Sequence, residues 1–147
     1  MRAPASGCAG ECMMPFDSHF DRDRPVTVLL VDDDIDSRDM YAAALAFAGV
    51  ESHVADDVDS AFDLAVSMQP DVIVTDFVLK GEQNGAALCR RLHADPRTAG
   101  IKVLVVTGST RKHDAEALLG AGCSEIRTKP FLPDALIGEI ERLTRAA

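Results

Sequence analysis

The sequence predicts an α/β domain: a doubly wound, five-stranded parallel sheet covered by five helices. Three observations carry that prediction. Apolar runs of four to six residues, too short for buried helices, recur along the chain. Each is followed by a segment whose apolar residues return at i, i+3, i+4 and i+7, the spacing of a helix with one buried face. The strand and helix patterns alternate without interruption, which implies parallel strands joined by right-handed crossovers.

The first strand is Val26–Val31, ending in Asp32-Asp33-Asp34. Asp36 or Ser37 is placed to cap the first helix, whose inward face is Tyr41, Ala44, Leu45 and Ala48, and Gly49 ends it. Glu51–Ala55 is a weaker strand, and Val58, Ala61, Phe62 and Ala65 mark a helix that stops before Pro70. The third strand, Asp71-Val72-Ile73-Val74-Thr75-Asp76, delivers a carboxylate to its own end. A polar loop, Lys80–Asn84, leads to a helix with Gly85, Leu88, Cys89 and Leu92 inward. Ile101–Val106 is the fourth strand, followed by Thr107-Gly108 and a helix with Ala115, Leu118 and Leu119 inward. The short strand Glu125–Thr128 runs into Lys129-Pro130, and the last helix buries Leu136, Ile137, Ile140 and Leu143.

Bulk properties narrow the classes of function. A chain of 147 residues suffices for one domain with a full core. Residues 1–25 lack a sustained apolar period and read as a flexible extension, with residues 26–147 as the domain. Within the extension, Cys8-x3-Cys12 and His19 supply fewer ligands than the four of a structural zinc site. A net charge of −9 argues against binding a phosphate backbone, so no nucleic-acid partner is expected. No apolar run approaches the ~20 residues of a membrane span. The four cysteines form no disulfide framework for a chain of this size, and the expected compartment is a reducing cytoplasm.

Polar residues collect at the C-terminal ends of the predicted strands: Asp32 and Asp33, Asp76, Thr107 and Lys129. In an open parallel sheet that edge is where ligands bind. Asp after a strand is a common cap, and Lys is commonly solvated, so each residue alone has a plain structural explanation. Their convergence from four segments has none. Three neighbouring carboxylates repel one another unless a cation joins them, and oxygen-only ligands select a hard divalent ion such as Mg²⁺. Lys129 offers a point charge, and Thr107 a hydroxyl, to a phosphoryl oxygen. Asp76 is then a candidate nucleophile, since carboxylates form acyl phosphates.

These residues resemble the receiver domain of bacterial two-component response regulators over about residues 26–145. The resemblance rests on Val31-Asp32-Asp33-Asp34, on Asp76 after Asp71–Thr75, on Val103–Gly108, and on Ala121-Gly122-Cys123 leading to Lys129-Pro130-Phe131. It implies the flavodoxin-like strand order 2-1-3-4-5. It also implies that Asp76 takes a phosphoryl group from a sensor kinase or phosphotransfer protein. Mg²⁺ would be held by Asp32, Asp33, Asp76 and the Val78 carbonyl, and Lys129-Pro130 would be cis. The protein is then a phosphoacceptor that assists its own Mg²⁺-dependent phosphorylation and dephosphorylation, not an enzyme acting on other substrates.

Three departures from the family pattern stand out. Lys80 occupies the place of the usual proline, in a loop one residue longer. Ile126 replaces the usual aromatic, and Arg127 the apolar residue after it; either the switch is altered or Ile126 packs as any strand residue would. Val78 and Ser109 flank the path of an attacking water, and apolar Val78 predicts slow self-dephosphorylation. No further domain follows the last helix, so the expected output is a protein contact by a stand-alone regulator, a monomer or a weak homodimer through the fourth helix, fifth strand and fifth helix. Arg111, Lys112, Arg127 and Arg142 form either a contact patch there or a solvated face. The alternatives are a phosphate-independent interaction module and a fragment of a larger regulator or hybrid kinase. A phosphatase of the haloacid dehalogenase type is disfavoured because it needs a second Asp where Val78 stands.

Overall fold

The computed structural model describes residues 25–108 and 111–145. Residues 1–24 of the N-terminal extension, with Cys8, Cys12 and His19, lie outside these residues, as does Ser109. The elements alternate as expected: β1 (Thr27–Val31), α1 (Ile35–Phe47), β2 (Glu51–Ala55), α2 (Val58–Met68), β3 (Val72–Asp76), α3 (Gly85–Ala94), β4 (Lys102–Thr107), α4 (Lys112–Gly120), β5 (Glu125–Thr128) and α5 (Pro133–Arg145). All strand pairs are parallel, in the order β2-β1-β3-β4-β5. That is the doubly wound 2-1-3-4-5 arrangement the sequence led us to expect.

Continuous apolar runs can serve as central strands because successive side chains point to opposite faces and both faces are covered. Leu29, Val31, Ile73, Val103 and Val105 face α2, α3 and α4, packing with Phe62, Leu88, Leu92 and Leu118. Val28, Leu30, Val72, Val74, Leu104 and Val106 face α1 and α5, packing with Tyr41, Leu45, Leu136, Ile140 and Leu143. The sheet therefore separates two apolar layers. β2, at an edge, carries a polar strand sequence and is largely exposed.

Local chemistry sets the helix ends. The Asp57 carboxylate accepts from the Ser60 N–H (2.8 Å) at the start of α2, and the Asn84 side chain accepts from the Ala87 N–H (3.0 Å) at the start of α3. α1 differs from the sequence expectation. Its N-cap position is Asp34, and Asp36 and Ser37 lie inside its first turn. The Ser37 hydroxyl instead donates to Asp34 Oδ2 (2.7 Å). The inward face assigned to α4 also needs correction. Leu118 is fully buried, but Leu119 is 72% exposed and Ala115 lies on the outer side. Consecutive residues sit about 100° apart around a helix, and the partly buried Ala117 completes the packing around Leu118.

Candidate functional site: an acidic pocket at the C-terminal sheet edge

The first component of the site is the turn after β1. The Asp32 N–H donates to the Ala55 carbonyl of β2 (3.0 Å), and Asp32 Oδ1 accepts from the Asp34 N–H (2.9 Å). From α1, Arg38 reaches back to the turn, its Nη1 donating to the Asp32 carbonyl (3.4 Å). Asp32 is consequently buried while Asp33 is exposed. Burial raises the Asp32 carboxyl above the ordinary carboxylate range, the Asp34 N–H works against that rise, and the Asp76 charge adds to it.

Asp76 ends β3, where Thr75 pairs with Val31 and Asp76 with Val106. The following loop is pinned by two buried side chains, Phe77 and Leu79, which leaves the intervening Val78 64% exposed. The Phe77 N–H donates to the Val106 carbonyl (3.2 Å), and the Phe77 carbonyl accepts from the Gly85 N–H (2.6 Å). At Gly85 the backbone crosses the Asp76 peptide so closely that a Cβ would stand 2.6 Å from the Asp76 carbonyl oxygen. The need for glycine there was not visible in the sequence, where Gly85 passes for an ordinary inward helix residue. Lys80, in the place of the family's usual proline, donates its backbone N–H to the Asp56 carbonyl (3.1 Å). A proline could not make that bond, so the substitution comes with its own tether, and Gly81, at φ +92°, absorbs the turn that follows.

β4 and β5 bring the remaining residues. Thr107 is buried at the end of β4, and its carbonyl accepts from the Lys129 N–H (2.9 Å) just past β5. The Lys129-Pro130 bond is cis. The Lys129 ammonium donates to Asp76 Oδ2 at 2.9 Å. Partial burial lowers the affinity of Lys129 for its proton, but the hydrogen bond to Asp76 and the charges of Asp76 and Asp32 outweigh it, so the ammonium form is favoured. The carboxylates of Asp32, Asp33 and Asp76 each place an oxygen within 4.8 Å of the others. Among the described residues this is the one group of three or more acidic, His or Cys side chains so arranged. Three hard oxygen donors, one of them with its pKa raised by burial and a like charge that a cation would offset, fit a small divalent ion such as Mg²⁺.

The structure therefore gathers Asp32, Asp33, Asp76, Thr107 and Lys129 on one sheet edge, with Val78 on the loop beside them. Ile126 sits half-buried on β5 and packs against the α2–α3–α4 layer, the plain reading of that position. Three of the four basic residues named on the neighbouring face are paired with acids of this chain. Arg127 pairs with Glu125 and with Glu139 (both 3.0 Å), and Arg142 pairs with Glu139 (2.6 Å) and Glu125 (3.0 Å). Arg111 pairs with Asp114 (3.3 Å). The pairs that cross between elements, Arg127–Glu139 and Arg142–Glu125, join β5 to α5 and so escaped the sequence reading.

A doubly wound parallel sheet with three acidic side chains and a lysine converging at its C-terminal edge defines a class of α/β domains with an acidic edge pocket. Comparison with known proteins narrows that class: residues 28–141 match the response regulator receiver domain family, to which this chain belongs. It is 34% identical over 119 residues to the phosphate regulon transcriptional regulatory protein PhoB of Pseudomonas aeruginosa, covering 81% of this chain and 52% of that protein. It is 33% identical over 118 residues to the DNA-binding dual master transcriptional regulator RpaA of Synechocystis, covering 80% and 48%. The chain thus spans about half the length of these relatives. Among solved structures it resembles the chemotaxis response regulator CheY4 of Vibrio cholerae, with a TM-score of 0.75 at 26% identity over 82% of this chain and 99% of that one. A putative response regulator from Chloroflexus aurantiacus superposes with a TM-score of 0.76 at 29% identity, over 83% and 99%.

Proposed function

We propose that this receiver domain accepts a phosphoryl group on Asp76 from the phosphohistidine of a sensor kinase or phosphotransfer protein. The observation that supports this most directly is the 2.9 Å contact between Lys129 and Asp76, inside a cluster of three carboxylates. An Asp76 oxygen forms a bond to phosphorus as the phosphorus–nitrogen bond of the donor breaks. A carboxylate nucleophile attacks without the help of a general base. Lys129 lies where it can follow the charge that passes onto the phosphoryl oxygens, and Thr107 supplies a hydroxyl on the same edge. Asp32, Asp33, Asp76 and the Val78 carbonyl would hold Mg²⁺, which would offset the negative charge of the incoming group.

The test is to incubate the protein with acetyl phosphate, with and without Mg²⁺, and to weigh it by intact-mass spectrometry. The expected result is a Mg²⁺-dependent gain of one phosphoryl mass that is lost in Asp76→Asn. No gain in the unsubstituted protein would favour a phosphate-independent interaction module. Two readings of output follow. A stand-alone cytoplasmic regulator acting through protein contact is supported by the CheY4 likeness over 99% of that chain. A receiver within a longer DNA-binding regulator is supported by relatives whose matched part is only about half of their length, one of them named as DNA-binding. The mass of the protein produced from its own gene separates them.

A further inference from the structure

Tyr41 is the one tyrosine of the chain and stands on the inward face of α1, 8% exposed. Its ring packs in the layer of Leu45, Leu136 and Ile140, a place a phenylalanine would fill equally well. A buried hydroxyl costs free energy unless it is hydrogen-bonded, so the oxygen needs a reason of its own. The hydroxyl donates to the Phe131 carbonyl, in the connection between β5 and α5 that begins with Lys129. Burial raises the hydroxyl above the ordinary tyrosine range, the Lys129 charge works against that rise, and the Asp32 and Asp76 charges add to it. The group therefore keeps its proton at neutral pH and stands within electrostatic reach of all three site residues.

The segment that carries Lys129 is thereby held from two sides. The Lys129 N–H donates to the Thr107 carbonyl at the end of β4 (2.9 Å), and two residues later the Phe131 carbonyl is held by α1. From this fixed backbone the Lys129 ammonium reaches Asp76 Oδ2 at 2.9 Å. Tyr41 also lines a small cavity that it shares with Asp32, Asp76 and Lys129. A lysine carries its point charge on a flexible four-carbon stem, so the place of the ammonium depends on how firmly the backbone beneath it is fixed. We propose that Tyr41 is a positioning residue for phosphoryl transfer: by holding the Phe131 carbonyl, its hydroxyl seats the Lys129 ammonium against Asp76. This role rests on the reading of Asp76 as phosphoacceptor, and it adds a residue from α1 to a site otherwise built from the strand ends.

Tyr41→Phe keeps the ring and removes only the donor. With acetyl phosphate and Mg²⁺, a bond forms from Asp76 to phosphorus while the bond from phosphorus to the acetyl oxygen breaks and acetate leaves. At saturating acetyl phosphate we expect Tyr41→Phe to slow this step roughly fivefold, the worth of one hydrogen bond. In a Lys129→Met background the same substitution should change nothing, because the ammonium it seats is gone. A loss of equal size in both backgrounds would show a general effect on the fold and overturn the proposal, as would an undiminished rate in Tyr41→Phe. A second arm needs no phosphoryl transfer. The Lys129 Nζ and Cε NMR resonances should shift in Tyr41→Phe in the direction they take in Asp76→Asn, and unmoved resonances would also overturn the proposal. If the unsubstituted protein takes no phosphoryl group, the phosphoacceptor reading falls, and the NMR comparison still decides whether Tyr41 seats Lys129.

Discussion

Gly85 and Val78 show how much of this site is decided by single residues. At Gly85 a methyl group would meet the Asp76 carbonyl oxygen at 2.6 Å, backbone against backbone, with no flexible side chain to yield. We expect Gly85→Ala to cost about 1–3 kcal/mol, the usual penalty for overpacking. Denaturant unfolding would read the loss, and intact stability would show that the β3–α3 loop gives more freely than its hydrogen bonds suggest. Val78 is the opposite case, exposed and offering no polar group beside Asp76. A hydrogen bond worth about 1 kcal/mol to an attacking water would correspond to a roughly fivefold rate change. Val78→Asn should therefore shorten the lifetime of the phosphorylated protein by about that factor, measured as single-turnover decay. An unchanged lifetime would remove Val78 as a determinant of dephosphorylation.

At the scale of elements, β5 and α5 are joined by charge as well as by apolar packing. Glu139 sits between Arg127 and Arg142, which together outweigh its burial and hold its carboxyl below the ordinary glutamate range. A depressed carboxylate contributes stability above its unfolded value of 4.5, and that contribution is lost as pH falls through the lowered folded value. Glu139→Gln should thus cost about 1 kcal/mol near pH 7, a figure kept low because both arginines are partly solvated. The difference from the unsubstituted protein should shrink as the solution is acidified, and also with added salt. Urea denaturation at several pH values would show it; a pH-independent difference would assign the effect to packing. The same network explains why the face carries four basic residues without being strongly basic. At least three of them already face acids of this chain.

For the whole molecule, the central fact is two apolar layers separated by the sheet. Leu118 anchors one and Ile140 the other, both fully buried. Truncating either to alanine should cost about 2–5 kcal/mol. Because the two side chains belong to opposite layers and share no packing cluster, their effects should add to within about 0.5 kcal/mol in the double variant. Strong non-additivity in equilibrium unfolding would mean that the layers communicate through the sheet.

The architecture and the identity of the acidic pocket were legible from the sequence. Both rest on one-dimensional periodicity: apolar runs covered on both faces must be interior strands, and the residues that follow them must meet at one edge. Asp32, Asp33, Asp76, Thr107 and Lys129 needed no more than that rule to be placed together. What escaped the sequence depends on distances between segments remote in the chain. Gly85 is indispensable because it passes over the Asp76 peptide, and Lys80 can replace a proline because the Asp56 carbonyl waits for its N–H. Arg127 is neutralised by a glutamate twelve residues on, and Leu119 turns outward although its neighbour Leu118 turns in. Periodicity identifies which residues are apolar and how they repeat, but only packing decides which backbone approaches which, and how closely.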